Sequence, residues 1–122
     1  LSYTTFQYGK PKLSEPVMSE GGHVNLTTTI TNSGKRAGKE VVELYIGDEK
    51  CSLLRPIKEL KGFKKILLNP GETKTVTFTI TYDDLKFWND KSHTWTAEPG
   101  RFKAYICSSA EDIKSIAVFE LK

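Results

Sequence analysis

Cysteine is scarce, and this excludes two classes of small domain. The 122 residues include only Cys51 and Cys107. Two cysteines can build neither a disulfide-rich scaffold nor a four-thiolate zinc site. His23 and His93 would bring the number of ligands to four, but the spacing follows no zinc pattern. We therefore expect two unrelated thiols, no metal and no cofactor; a single bridge between the thiols stays open.

Long apolar runs and an excess of one charge are also missing. No stretch approaches the ~20 consecutive apolar residues of a transmembrane helix, and no secretory signal is visible. Lysine and arginine number 18 against 15 acidic residues, so the net charge is only +3. This favours neither nucleic acid nor a membrane as a partner. Because the chain opens with Leu1, we interpret it as a mature fragment or an excised domain.

Alanine is rare, whereas strand-forming residues are common. Five alanines stand against 13 threonines, 8 isoleucines, 6 valines and 13 aromatic residues. This balance favours strands over helices. The hydrophobic fraction of 38% and the charged fraction of 27% are typical of a globular domain. We therefore expect one all-β domain that spans residues 1–122.

Alternating polarity locates the strands. Val24, Leu26 and Ile30 share one face of residues 24–31, and threonines with Asn25 occupy the other. Residues 75–81 alternate in the same way, as expected for strands with one buried side. The other predicted strands are 2–8, 40–47, 59–68, 101–107 and 116–121. Strand 40–47 is apolar on both faces, so we expect it at the centre of a sheet or covered on both sides.

Turn signals separate these strands. They are Asn32-Ser33-Gly34, Asn69-Pro70-Gly71 and Glu98-Pro99-Gly100, and residues 83–86 predict one helical turn. Gly62 predicts a bulge that turns Phe63 inward, whereas Cys107 is expected to face outward. Lys58, Lys61, Lys64 and Lys65 predict a solvated edge strand. About seven short strands with regular turns predict a β-sandwich.

Four segments, in register along the chain, resemble one known module. They are residues 31–46 (TNSGKRAGKEVVELYI), residues 55–65 (RPIKELKGFKK), residues 68–78 (LNPGETKTVTF), and Asp84-Leu85 with Trp88 and the EPGRF of 98–102. The module is the fibronectin type III-like domain at the C-terminal end of family 3 glycoside hydrolases, the β-glucosidase and β-xylosidase type. The opening LSYTTF is similar to the junction that follows the catalytic part. Glu43 and Cys107 depart from the usual glutamine and glycine of the family.

The resemblance implies an immunoglobulin/fibronectin type III-like sandwich of about seven strands, with residues 1–9 as a junction strand. It also implies a non-catalytic accessory domain that packs on the catalytic domains of its parent chain and stabilises them. The parent would be a β-glucosidase-type hydrolase of O-glycosyl bonds, active in carbohydrate metabolism and periplasmic or secreted. In the family the catalytic carboxylates lie on the neighbouring domains, so no catalytic residue is assigned to this chain.

The residues themselves agree with this assignment. A retaining glycosidase needs two carboxylates about 5 Å apart across a sugar pocket. The adjacent acidic pairs Asp48-Glu49, Asp83-Asp84 and Glu111-Asp112 fall in predicted turns, where carboxylates are usually solvated. No serine lies in a glycine-framed nucleophile elbow, and no phosphate-binding loop is present.

Aromatic residues are the candidate functional residues. They are Tyr3, Phe6, Tyr8, Trp88, Trp95 and Tyr105. We favour docking onto catalytic domains of the same parent chain. The resemblance implies that the N-terminal segment emerges directly from the preceding domain, so large aromatics there would be covered in the parent. Two alternatives stay open: an autonomous carbohydrate-binding module that stacks oligosaccharide or polysaccharide on these rings, and a protein-interaction domain. Some of these residues could also belong to the core.

Overall fold

The computed structural model describes residues 4–48 and 58–122, and within these residues the fold is all-β. The elements are β1 (Phe6–Tyr8), β2 (Lys12–Leu13), β3 (Val17–Met18), β4 (His23–Asn32), β5 (Gly38–Asp48), β6 (Glu59–Leu68), β7 (Thr73–Thr81), a 3₁₀ turn (Tyr82–Leu85), β8 (Phe87–Asn89), β9 (Thr94–Thr96), β10 (Gly100–Cys107) and β11 (Ile113–Leu121). The prediction of an all-β sandwich is confirmed.

Each of the seven predicted strands corresponds to an observed one. The predicted strand 2–8 is observed as β1, and its first two residues lie outside the described residues. Four further strands, β2, β3, β8 and β9, have only two or three residues each. Such short strands contain no readable alternation, which explains why the sequence pattern misses them. The 3₁₀ turn confirms the predicted helical turn, shifted by one residue.

Two sheets face each other. Sheet A holds four strands, with β1 and β2 paired to β4 and β7 on its other side. Sheet B holds five strands in the order β3-β11-β10-β5-β6. Strand β5 lies between β10 and β6, which confirms its predicted central position. The lysine-rich β6 is an edge strand, as predicted.

The core fills the space between the sheets. Val24, Leu26 and Ile30 of β4 are fully buried, and so are alternate residues of β5, β7, β10 and β11. The rings of Phe102 and Phe119 stack with centroids 5.7 Å apart. Burial of one such side chain stabilises the fold by about 1.5–3 kcal/mol. The chain therefore has a core of its own.

The outer face of sheet A is a ladder of threonine hydroxyl groups. Thr27 and Thr77 lie opposite each other with their Oγ1 atoms 3.2 Å apart. The corresponding distance for Thr31 and Thr73 is 2.7 Å. These hydroxyl groups pair across β4 and β7 and also face water. The outer face of sheet A is therefore polar along its length, as the alternation predicts.

Asn32 is a buried hydrogen-bonding centre at one end of the sandwich. Its Oδ1 accepts hydrogen bonds from Thr4 Oγ1 (2.6 Å) and from the backbone N–H of Gly34 (2.9 Å). Its Nδ2 donates to the carbonyl oxygens of Arg36 (2.7 Å) and Leu68 (3.0 Å). Asn32 is completely buried, so these bonds satisfy polar groups that water does not reach. One side chain thus fastens the N-terminal segment, the β4–β5 turn and the end of β6.

Glycine is needed at two turns for different reasons. The turn at Asn69-Pro70-Gly71 is confirmed, because the N–H of Glu72 donates to the carbonyl of Asn69 at 2.9 Å. Gly71 has φ +78°, which favours glycine at this turn position. At Gly34, by contrast, an added Cβ would collide with Thr4. The requirement for glycine there is the close approach of the N-terminal segment.

The bulge expected at Gly62 is present, but Phe63 faces outward. The pairing moves from Leu44–Gly62 to Tyr45–Leu60, which leaves Lys61 without a partner in the register. Gly62 itself lies over the core, because a Cβ there would be 3.7 Å from the ring of Phe78. Alternation then directs Phe63 outward, and it is 60% exposed. The prediction that Phe63 turns inward is wrong.

Tyr8 ties the two sheets together. It lies on β1 of sheet A, and its hydroxyl donates to Glu40 Oε2 of β5 in sheet B at 2.9 Å. Lys114 Nζ of β11 lies 5.6 Å from its ring centroid. Burial, followed by the hydrogen bond to Glu40, raises the pKa of Tyr8 well above its usual value. Tyr8 therefore stays neutral in the folded domain where a free tyrosine would ionise.

Replacement of Asn32 by alanine should destabilise the domain by about 3 kcal/mol, because it leaves several backbone groups unpaired, among them the buried carbonyl of Leu68. Chemical unfolding of the 122-residue chain measures the change. Asn25→Ala is the matched control, since it removes an amide on the outer face of the same strand and should cost less than about 1 kcal/mol. Equal losses for both variants would contradict this assignment.

Tyr8→Phe should lower the free energy of unfolding by about 1 kcal/mol at pH 7, the usual contribution of one hydrogen bond. The difference should shrink above pH 10. In the unsubstituted chain, the unfolded state then loses the Tyr8 proton, while the folded state keeps it because the pKa of Tyr8 is raised. Ionisation of Tyr8 thus favours unfolding of the unsubstituted chain and has no counterpart in Tyr8→Phe. Denaturant melts at pH 7, 10 and 11 test this, and a constant difference would contradict it.

Candidate docking surface

The structure divides the six predicted aromatic residues among different regions. Tyr3 lies outside the described residues. Phe6 and Tyr8 are partly buried against the core. Trp88 and Trp95 lie on the β8–β9 hairpin. Tyr105 lies on the outer face of sheet B, opposite Tyr45. The five described residues do not form one platform, and the docking role of the set stays a prediction.

The hairpin brings two tryptophans together. Trp88 and Trp95 are direct partners across β8 and β9. Their ring centroids are 5.8 Å apart and their planes meet at 70°, an edge-to-face arrangement that stabilises hairpins. Phe87 is buried and anchors the hairpin, whereas Trp88 and Trp95 are 45% and 62% exposed. The pair therefore has a structural role and also leaves aromatic surface free.

Sequence reasoning missed a larger surface on the outer face of sheet B. Strand register aligns residues of four strands into rows on this side. One row holds Leu60, Tyr45, Tyr105 and Ile116, and the next holds Phe63, Glu43, Cys107 and Ile113. In a third, Lys103 is opposite Val118. We call this surface the outer apolar face.

Most exposed large hydrophobic residues belong to the outer apolar face. Eight such residues occur in the described parts of the chain, and six of them lie here. The six are Leu60, Phe63, Leu67, Ile113, Ile116 and Val118. The apolar second side of strand 40–47 was the sequence signal for this surface, since a wet outer face would carry polar residues, as sheet A does.

Tyr45 is held in place at the middle of the outer apolar face. Lys58 Nζ lies 4.0 Å from its ring centroid and donates to the carbonyl of Ala110 at 2.6 Å. The Tyr45 hydroxyl donates to Glu43 Oε1 at 3.2 Å. Burial and this carboxylate raise the pKa of Tyr45. A tyrosine fixed in this way is a rigid anchor rather than a reacting group.

Cys107 is a free thiol, and it is completely buried. It shares a row with Glu43 on the outer side of the sheet, so its direction follows the predicted alternation, although it is not exposed. Burial raises the pKa of the Cys107 thiol, and Glu43 adds to this effect while Lys58 opposes it. A neutral, covered thiol is a poor nucleophile. Cys51, the other half of the bridge left open above, lies outside the described residues.

The acidic turn residues serve local structure. Asp84 accepts a hydrogen bond from the N–H of Thr81 at 2.9 Å, and Asp83 pairs with Lys86 at 2.8 Å. Asp112 bonds Ser108 and lies 3.0 Å from Lys114. These two contacts, Ser108 first, lower its pKa. The turn positions of Asp83, Asp84 and Asp112 are as predicted. Their hydrogen bonds and ion pairs differ from the expectation that such carboxylates are simply solvated.

A shallow cavity of about 300 Å³ lies beside the 3₁₀ turn. It is lined by Gly21, Gly22, His23, Thr79, Thr81, Tyr82 and Asp83. Asp83 is its single carboxylate, whereas glycoside hydrolysis needs two.

Within residues 4–48 and 58–122, no three His, Cys, Asp or Glu side chains are grouped as metal ligands would be. Nor does this part of the chain contain a helix of the length and apolarity that a membrane span requires.

Comparison with known proteins identifies the domain. Residues 40–110 match the model of the fibronectin type III-like domain. The chain is 52% identical over 120 residues to Beta-glucosidase BoGH3A of Bacteroides ovatus, with 98% of this chain and 16% of that protein covered. It is 46% identical over 121 residues to the Periplasmic beta-glucosidase of Salmonella typhimurium, covering 99% of this chain and 16% of that protein.

The fold agrees with these matches. A solved β-glucosidase structure from Erythrobacter marinus superposes with a TM-score of 0.92 at 34% identity, over 100% of this chain and 16% of that one. The chain thus spans about a sixth of the length of the relatives it matches. Because the domain model covers more than half of the chain and the sandwich agrees with it, this chain belongs to the fibronectin type III-like domain family, in the form that occurs within family 3 β-glucosidases.

Proposed function

We propose that this chain is a non-catalytic accessory domain of a β-glucosidase-type glycoside hydrolase, packed against the catalytic domains of the same chain. The observation that carries the proposal is that nearly the whole chain matches about a sixth of each β-glucosidase relative, so the larger part of such a protein lies outside this domain. The difference between the two outer faces agrees with packing on that larger part. Threonine hydroxyls cover sheet A, whereas large apolar side chains lie exposed on sheet B. Isolated soluble domains rarely leave such a continuous patch uncovered.

The chemistry of the side chains supports a scaffold. The carboxylates of the acidic turns are used in caps and ion pairs, and the thiol of Cys107 is buried and neutral. The cavity beside the 3₁₀ turn offers one carboxylate, already paired with Lys86. None of these groups has the partner that acid–base or nucleophilic catalysis needs.

The relatives support the nature and location of the parent. Both curated relatives are described as β-glucosidases, and that of Salmonella typhimurium as periplasmic. We extend this to the parent of the present chain as a periplasmic or secreted hydrolase of O-glycosyl bonds. Stabilisation of its catalytic part is the role we assign to the domain.

The purified 122-residue chain should not hydrolyse an aryl β-glucoside. Release of the aryl alcohol from p-nitrophenyl β-glucoside measures this, with the parent enzyme as the positive control. Deletion of the domain from the parent should lower the melting temperature of the remaining protein by several degrees, since a domain interface is lost. Turnover by the isolated chain that Asp83→Asn abolishes would show instead that the domain is itself an enzyme.

The exposed tryptophan pair supports one second candidate, carbohydrate binding. An aromatic ring can stack on the apolar face of a sugar, and both Trp88 and Trp95 leave ring surface free. Their edge-to-face geometry, however, does not provide one flat platform. Structural use of the pair in the hairpin therefore accounts better for its arrangement.

Titration of the isolated chain with soluble β-glucan should leave its tryptophan fluorescence unchanged. Trp95→Ala tests whether any change that occurs comes from the more exposed ring, and Phe63→Ala is the control on the outer apolar face. A saturable change that Trp95→Ala removes and Phe63→Ala retains would establish the carbohydrate-binding alternative.

A further inference from the structure

Within residues 4–48 and 58–122, the outer apolar face holds six of the eight exposed large hydrophobic residues. Its side chains do not contribute to the core between the sheets, since the core takes the alternate residues of the same strands. Yet Phe63, Ile116 and Val118 occupy positions where sheet A has hydroxyl groups. Exposed apolar groups at solvent-facing positions of two strands, β6 and β11, carry a hydration cost that only a covering partner removes.

We infer, on the basis of the proposed function, that the outer apolar face is the surface by which this domain docks on the catalytic body of its own chain, with Phe63 as the most exposed anchor. The inference replaces the aromatic set expected from the sequence. Of the five members of that set that the structure describes, Tyr105 alone lies on this face.

Strand register makes the face continuous. The row Leu60–Tyr45–Tyr105–Ile116 crosses β6, β5, β10 and β11 without a break. Four strands at the usual spacing of about 4.8 Å give a row about 15 Å wide. Together with the neighbouring row, which contains Phe63 and Ile113, this forms one extended sheet face. An extended apolar sheet face suits a broad domain contact.

The face is also arranged before any partner arrives. Tyr45 is held from above by Lys58 and from the side by Glu43. Lys58 in turn is held by the carbonyl of Ala110, across the sheet on the β10–β11 connection. Side chains that are already ordered lose little entropy on docking, so more of the apolar burial contributes to binding.

The length of the relatives identifies the occupant. The chain covers 16% of each curated relative, so about five sixths of such a protein lies outside this domain. A covalently linked partner is present at millimolar effective concentration. A moderate apolar surface therefore suffices for docking within one chain, although it would bind a free protein weakly.

Charge argues against a second copy as the occupant. Lys65 lies opposite Val41, and Lys39 lies opposite Leu67, so both lysines border the outer apolar face. Two copies placed face to face would bring these lysines together around a dry contact. The edge strand β6 bears further lysines, which oppose strand-to-strand pairing.

Hydroxyl-radical footprinting of the 122-residue chain and of the parent enzyme tests the inference without a substitution. Oxidation of Phe63 and Leu60 should fall at least fivefold in the parent, whereas Tyr82, near the shallow cavity and off the outer apolar face, should change less than twofold. Protection of Trp95 without protection of Phe63 would overturn the inference and leave the proposed function standing. Equal oxidation of all residues in both proteins would overturn both. Protection of Phe63 that grows with concentration in the isolated chain would identify a second copy as the occupant, and would also overturn the inference.

Substitution provides the second test. Phe63→Lys places a lysine opposite Glu43, a favourable cross-strand pair, so the isolated domain should keep its melting temperature within about 3 °C. In the parent the same change should lower the melting temperature by at least 5 °C and accelerate limited proteolysis between the domains about tenfold. Thr77→Lys on sheet A is the matched control and should do neither. An effect of Thr77→Lys with none of Phe63→Lys would show docking through the opposite face.

Discussion

The long strands β4, β5, β7, β10 and β11 give alternate side chains to one shared core, and the rest of the structure depends on that constraint. Val42, Leu44 and Ile46 of β5 are buried between the sheets, so the residues between them must face away. The core therefore determines which side chains form each outer surface. On sheet A the second set is largely threonine, whereas on sheet B it includes large apolar residues. The docking role that we propose for sheet B accounts for this difference.

This constraint also explains how much of the fold could be predicted from the sequence. Strands β4 and β7 have one wet face, so their alternation identified their buried sides and, to within two residues, their limits. The two-residue strands β2 and β3 are formed by pairing with distant strands, which a local pattern does not contain. The prediction that Phe63 turns inward was wrong for a related reason. The bulge leaves Gly62 over Phe78, and only the three-dimensional register shows which neighbour then faces out.

The candidate site was less predictable than the fold. Residue type led to the six aromatics, but exposure depends on register as well as on type. Phe6 and Tyr8 are bulky, yet they lie against the core. Leu60 and Ile116 are of types common in protein cores, yet they share an exposed row. This is because β6 and β11 flank the two strands, β5 and β10, that bear Tyr45 and Tyr105. Only the apolar second side of β5 could have indicated this surface from sequence.

A docking domain needs a fold that does not depend on its partner, and the polar contacts at one end of this sandwich meet that need. Asn32 makes four hydrogen bonds that join the N-terminal segment, the β4–β5 turn and the end of β6. Tyr8 of sheet A donates a hydrogen bond to Glu40 of sheet B. Both contacts are internal to the domain and lie away from the outer apolar face. The burial that forms the domain and the burial that would attach it therefore use separate sets of side chains. This separation lets loss of docking be measured in a domain that is still folded.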